Sequence, residues 1–238
     1  MSDRFDTTRW SLILHAAAGG EDARGALEIL CRTYRPAVLA YVRAHRRERD
    51  EAEDLTQAFF AHLLEQQLAQ RADPGRGRFR AFLLTTLKNF LYSQHTRAQT
   101  QRRGGGANAL TLDDVDPATG DDGPEQAFER EWAAAVLSEA LSRLQAEARR
   151  ADKEALFQRL RPFLFETPDE DEYAAVAQQF GLRRNTLAVA VHRLRARLQE
   201  LVRTVVDDTV SCRAEADTEL RALRARFAPA TATSVIVG

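Results

Sequence analysis

Between 183 and 197 the chain carries Arg183, Arg184, Asn185, His192, Arg193, Arg195 and Arg197, interleaved with apolar residues. Leu187, Val191, Leu194, Leu198 and Leu201 recur at intervals of four, three, four and three. That is the period of one buried helix face, so the Arg, Asn and His side chains fall largely outside it, with Ala188 and Val189 among them. Forked guanidinium donors match guanine edges and an amide matches adenine, so such a face has the chemistry of a major-groove reader. The same composition also suits a solvated surface helix. Just upstream, Tyr173, Val176, Ala177 and Phe180 form a second apolar stripe. Gly181 follows where the chain must reverse, a place that favours a residue tolerant of positive φ. Two helices joined by a tight turn are predicted over 173–201.

A second constellation is Asp50, Glu51, Glu53 and Asp54, followed by Gln57. Four carboxylates at a helix start complement the helix dipole, worth about 0.3–1 kcal/mol each. They could instead form an anionic docking face for a basic partner, or hold a divalent ion. The metal alternative is the weakest of the three, because no histidine stands three or four residues away and His62 lies too far along the helix.

The third constellation is FRAFLLTTLKNFLYSQHTRAQTQRR, starting at Phe79. Phe79, Phe82 and Phe90 have core spacing. Arg80, Lys88, Asn89, Tyr92, Gln94, His95 and Arg97 supply cations, amides and rings. Basic grooves with aromatic platforms hold splayed single strands through phosphate attraction and base stacking.

Net charge conceals segregation. The whole chain of 238 residues carries a formal charge of −1. Yet 76–103 holds seven basic residues and no acid, whereas 104–131 holds eight acids and one Arg. Screening confines such fields to about 10 Å, so local sign decides what each surface attracts. Two separate basic regions are compatible with two contacts on one polyanion. The two cysteines, Cys31 and Cys212, are far apart and show no C-x-x-C spacing. They argue against a disulfide framework or a zinc site. No signal-peptide pattern opens the chain, and no apolar run approaches the ~18 residues of a membrane span. A cytoplasmic protein with no membrane partner is expected. No phosphate-binding glycine loop, nucleophile elbow or H-E-x-x-H motif is present, and the five histidines are scattered. Neither catalysis nor a cofactor or metal is expected.

The elements that must position these groups are helices, since long Ala/Leu/Arg/Glu segments dominate and alternating β-branched runs are nearly absent. The expected fold is all-α: two small helical bundles joined by a flexible acidic linker, the second containing a helix-turn-helix. The domains read as 1–102, a linker at 103–124 built on Gly104-Gly105-Gly106 and an acidic Pro/Gly stretch, then 125–203 and a partly disordered extension at 204–238. Helices are expected near Trp10, Ile13 and Leu14, then over 22–45, 51–68 and 78–99. Further helices are expected from Phe128 through Leu144, around Leu156–Leu164, and in the extension, with Leu220, Leu223 and Phe227 on one face.

Taken together, these segments resemble bacterial RNA polymerase sigma factors of the extracytoplasmic-function (ECF) type. YRPAVLAYVRAHRRERDEAEDLTQAFFAHLL, starting at Tyr34, is similar to their region two, with its acidic signature at 51–60. The stretch from Gly77 to Arg103 resembles the part that melts and reads the minus-ten element, and 173–201 resembles region four, which reads the minus-thirty-five element. The resemblance implies a subunit without a catalytic centre that lends core polymerase its promoter specificity. It implies that Asp50, Glu51, Glu53, Asp54 and Gln57 dock on the clamp helices of the largest subunit, with the flap as a further contact. Arg80, Lys88, Asn89, Tyr92, His95 and Arg97 would face the minus-ten element, Asn89 at the loop position that captures a flipped base. Arg183, Arg184, Asn185, Ala188, Val189, His192, Arg193 and Arg195 would face the minus-thirty-five element. Promoter DNA and core polymerase are the implied partners, with an anti-sigma protein or a kinase acting near Thr56 as regulator. A stand-alone helix-turn-helix regulator and a carboxylate-based metal hydrolase are the rival readings. The turn Leu-Arg-Arg-Asn after Gly181, the long charged segment 148–172 and the extension beyond Arg203 depart from the family pattern.

Overall fold

A computed structural model describes residues 21–45, 49–65, 79–103, 123–210 and 213–227, with the side chains of 21–30, 49–50, 64–65, 98–103, 213 and 226–227 outside the description. All regular structure among these residues is helical, as the composition predicts: α1 (Glu21–His45), α2 (Arg49–Glu65), α3 (Phe79–Arg103), α4 (Pro124–Arg150), α5 (Glu154–Leu160), a 3-10 turn (Pro162–Leu164), α6 (Glu170–Gln179), α7 (Arg184–Asp207) and α8 (Arg213–Phe227). The expected segment around Trp10 and residues 104–122 of the linker expected at 103–124 lie outside the described residues, as do the side chains of Leu27, Leu30 and Phe227, whereas Arg103 and Pro124 at the linker's ends are helical.

The chain divides into two compact units, Met1–Ala135 with Thr209–Cys212, and Val136–Asp208 with Arg213–Gly238. The division falls inside α4. Its first turns, 124–135, therefore belong with α1–α3, whereas the sequence reading assigns everything from 125 to the second domain. The reason is apolar spacing. Ala127, Phe128, Trp132 and Ala133 are all at most 6% exposed, and α3 meets this face with Arg80. Pro124 opens the helix at a position where its missing N–H has no intrahelical partner to lose.

In the first unit, Tyr34, Val38 and Tyr41 of α1, Phe59 and Leu63 of α2, and Phe79, Leu83 and Leu87 of α3 are buried. These are the residues whose i, i+3/i+4 spacing marked them as inward. Tyr34 meets Phe79 edge-on with ring centroids 5.2 Å apart, and Phe59 meets Phe90 at 5.6 Å. Such pairs add roughly 1 kcal/mol each beyond the area they bury.

In the second unit, Leu160, Phe163, Val176, Ala177, Leu187 and Val191 form one core cluster, edged by Leu156, Tyr173, Phe180, Leu182 and Leu194. Both stripes predicted on either side of Gly181 meet in it. Asp169 caps α6, accepting from the Glu172 backbone N–H at 2.7 Å, and Glu172 accepts from the Asp169 N–H in return. This capping box at the start of α6 was not anticipated from the sequence. The extension is helical where described: α8 buries Ala216, Leu220 and Leu223 and packs on α7. Among the described residues no helix is long and apolar enough to cross a membrane.

Candidate nucleic-acid interface

Gly181 turns the chain between α6 and α7 with φ +62, and a Cβ there would meet nothing within 4 Å. The glycine is therefore needed for its backbone conformation and not for space. The Leu182 N–H closes back on the Ala177 carbonyl at 2.8 Å, giving the last turn of α6 a partner for an otherwise orphan acceptor. Arg183 precedes α7 with extended backbone and offers no side-chain cap. With Leu187 and Val191 buried, Arg184, Asn185, Ala188, Val189, His192 and Arg193 are all exposed along one face of α7, and Arg183 is exposed just before it.

Arg195 departs from that set. Its guanidinium donates to the Phe163 carbonyl at 2.6 and 3.0 Å and to the Glu166 carbonyl at 3.0 Å. It ties the 3-10 turn to α7 and spends its donors on backbone acceptors, so its expected place on the reading face is corrected. Nothing in a periodicity count separates an arginine that reaches water from one that satisfies a neighbouring turn. Arg197 is likewise engaged, with Glu147 and Glu200, which holds the Glu147 carboxyl below its ordinary range.

On α3 the six expected residues also part company. Asn89, in the middle of the helix and not in a loop, is exposed, as is Arg97. Tyr92 and His95 are half-buried. Helical continuity through Leu87 and Phe90, both buried, keeps Asn89 out of a loop. Arg80 is only 6% exposed, pairs with Glu129 and lies over the Trp132 ring at 4.3 Å. It is therefore a packing cation, and its expected place on an open basic face is corrected. Lys88 pairs with Glu125 at 2.7 Å. That contact holds the Glu125 carboxyl below its ordinary range, chiefly through the Lys88 hydrogen bond. Glu125, Glu129 and Trp132 were not singled out from the sequence as site residues. The signal was there, since Glu125 and Glu129 flank Phe128 and Trp132 at helical spacing.

The acidic helix α2 separates into two edges. Glu51, Asp54 and Gln57 are exposed and, with Ala58 and Ala61, make one continuous stripe. Glu53 turns the other way, towards α1, and accepts from Arg35 at 2.7 Å and Arg43 at 2.9 Å. Asp50 lies in the first turn, its side chain outside the described set. Thr56 is fully buried and donates to the Ala52 carbonyl at 2.8 Å, so its hydroxyl is closed to a kinase in this fold. No group of three or more His, Cys, Asp or Glu suited to a metal occurs among the described residues.

No curated protein and no solved structure matches the chain. Residues 30–101, spanning most of α1, all of α2 and nearly all of α3, match the family model of sigma-70 region 2, and this match supports reading the chain as a sigma-70-type factor.

Proposed function

We propose that the protein is an ECF-type sigma factor that binds core RNA polymerase, recognises and opens a promoter, and so directs transcription initiation. The observation that carries this reading is the sigma-70 region 2 match on 30–101. It falls on helices whose surface offers an exposed acidic stripe, Glu51, Asp54 and Gln57, beside an arginine-paired Glu53. The stripe serves as the docking edge for the basic clamp helices of the largest subunit. Glu53 fixes the rotation of α2 that presents it. On α3, Asn89, Tyr92, His95 and Arg97, together with Lys88, face the minus-ten strand, where ring stacking and phosphate attraction hold opened DNA.

The second unit supplies the upstream contact. The exposed face of α7 lies in the major groove of the minus-thirty-five element, with Arg184 and Asn185 nearest the bases, as for the N-terminal residues of a recognition helix. The exposed arginines contribute phosphate contacts. The polymerase flap and an anti-sigma protein are the further partners this reading carries. A kinase, if it acts, modifies a residue other than Thr56.

Run-off transcription with purified core polymerase from the source organism on sheared genomic DNA tests the assignment. Discrete transcripts that depend on the added chain are expected. Their absence on every template, with the chain failing to co-elute with core, would overturn it.

A further inference from the structure

Two cations of α3, Arg80 and Lys88, are not free to wait for DNA, because the start of α4 already occupies them. Lys88 holds the Glu125 carboxylate at 2.7 Å, with the two side chains 30% and 50% exposed. One turn on, Glu129 pairs with Arg80, which is sandwiched against Trp132. Ala127, Phe128, Trp132 and Ala133 bury this face of α4. The two pairs differ in kind. Arg80 and Glu129 are packed in and locked, whereas Lys88 and Glu125 are reachable from solvent. A carboxylate and a phosphate compete for the same ammonium donors, and charge-assisted bonds to either are similar in length. Because the helix is anchored by its buried residues, Glu125 returns to Lys88 with little loss of entropy each time it is displaced. His45 and Tyr41 of α1 also lie close enough to Glu125 to interact with its charge.

We propose that Glu125 is a built-in competitor for the phosphate-binding lysine of α3, a fixed carboxylate that a DNA strand must displace from Lys88. This rests on the reading of α3 as a DNA-facing helix. In the free chain it lowers affinity for any single strand, so that weak, sequence-independent contacts fail. Only a strand held by additional contacts, as at an opened promoter, displaces Glu125.

The test is fluorescence anisotropy of a short labelled oligothymidylate with the full-length chain at low salt, using E125Q, K88Q, the double variant and E131Q. Glu131 lies on the same helix and carries the same charge, so E131Q changes net charge equally without touching Lys88. Exposed ion pairs contribute at most about 1 kcal/mol, so E125Q should tighten binding about two- to five-fold. E131Q should change it by less than half as much. In the K88Q background the E125Q gain should vanish, because the coupling belongs to that pair. Equal gains in E125Q and E131Q would reduce the effect to net charge and overturn the proposal, as would no gain in E125Q or no binding by any form. If K88Q binds as well as the unchanged chain, the DNA-facing reading of Lys88 is what fails. If K88Q weakens binding while E125Q leaves it unchanged, only the competitor fails. Circular dichroism of each variant checks that the helices persist.

Discussion

Single side chains decide whether a charge acts on a partner or on the fold. Arg80 and Arg195 look like DNA contacts by composition, but both are used internally, one against Glu129 and Trp132, the other on the Phe163 and Glu166 carbonyls. Removing Arg80 strands a partly buried carboxylate and strips a cation from an aromatic face. Arg80→Ala should cost about 2 kcal/mol of stability, seen as a lower urea midpoint with a similar slope. At Gly181 the cost is conformational. Forcing a Cβ into the left-handed region costs about 1–2 kcal/mol, and no neighbour is there to clash. Gly181→Ala should therefore lower Tm by a few degrees and leave the cores of α6 and α7 packed, which near-ultraviolet dichroism would register.

Among the elements, α2 makes the sharpest prediction. Its exposed edge and its arginine-paired edge are one residue apart in sequence, so neighbouring charge reversals should give different outcomes. Asp54→Lys should abolish capture of core polymerase while leaving Tm within a degree or so, since exposed surface changes are close to neutral. Glu53→Lys puts a cation against Arg35 and Arg43, and should lower stability by up to about 1 kcal/mol as well. Pull-down and thermal melts on the same two variants separate the effects. If Asp54→Lys still captures core at full yield, the docking edge has been misplaced.

How much of this was readable from the residues alone also differs by element. Amphipathic stripes marked the helices and most of the inward residues, including Tyr34, Phe59, Leu83, Val176 and Leu187, because burial of one helical face is a local pattern. The turn at Gly181 was legible for the same reason. What one face meets was not legible. That Phe128 and Trp132 lie on the first unit, that Arg195 reaches a turn some thirty residues earlier, and that Lys88 is held by Glu125 are tertiary facts, and a periodicity count is blind to them. The exposed face of α7 came through nearly intact because its residues are defined by what they avoid.

At the scale of the whole molecule, carboxylates held by basic partners should contribute a modest acid sensitivity to the fold. Glu125, Glu147 and Glu154 all lie below the ordinary carboxyl value of 4.5, chiefly through hydrogen bonds from Lys88, Arg197 and Arg149 respectively. A carboxyl depressed in the folded state contributes stability that is complete above its unfolded value and lost as pH falls through its folded one. Thermal stability should therefore be flat from neutral pH to about 5 and decline below about 4.5. Glu147→Gln should flatten part of that decline. A Tm that instead falls on raising pH from 5 to 7 would contradict the assignment of these pairs.

Because α3 ends and α4 begins within the same unit, the acidic stretch from 104 to 122 connects two segments of one body. A protease that cuts there would sever the backbone without releasing the downstream fragment, since Phe128, Trp132 and the Arg80–Glu129 pair still grip it. The nicked chain should run as two bands under denaturing conditions and elute as one species under native ones. For the same reason, deletions inside that stretch should be tolerated so long as they leave its two ends able to meet.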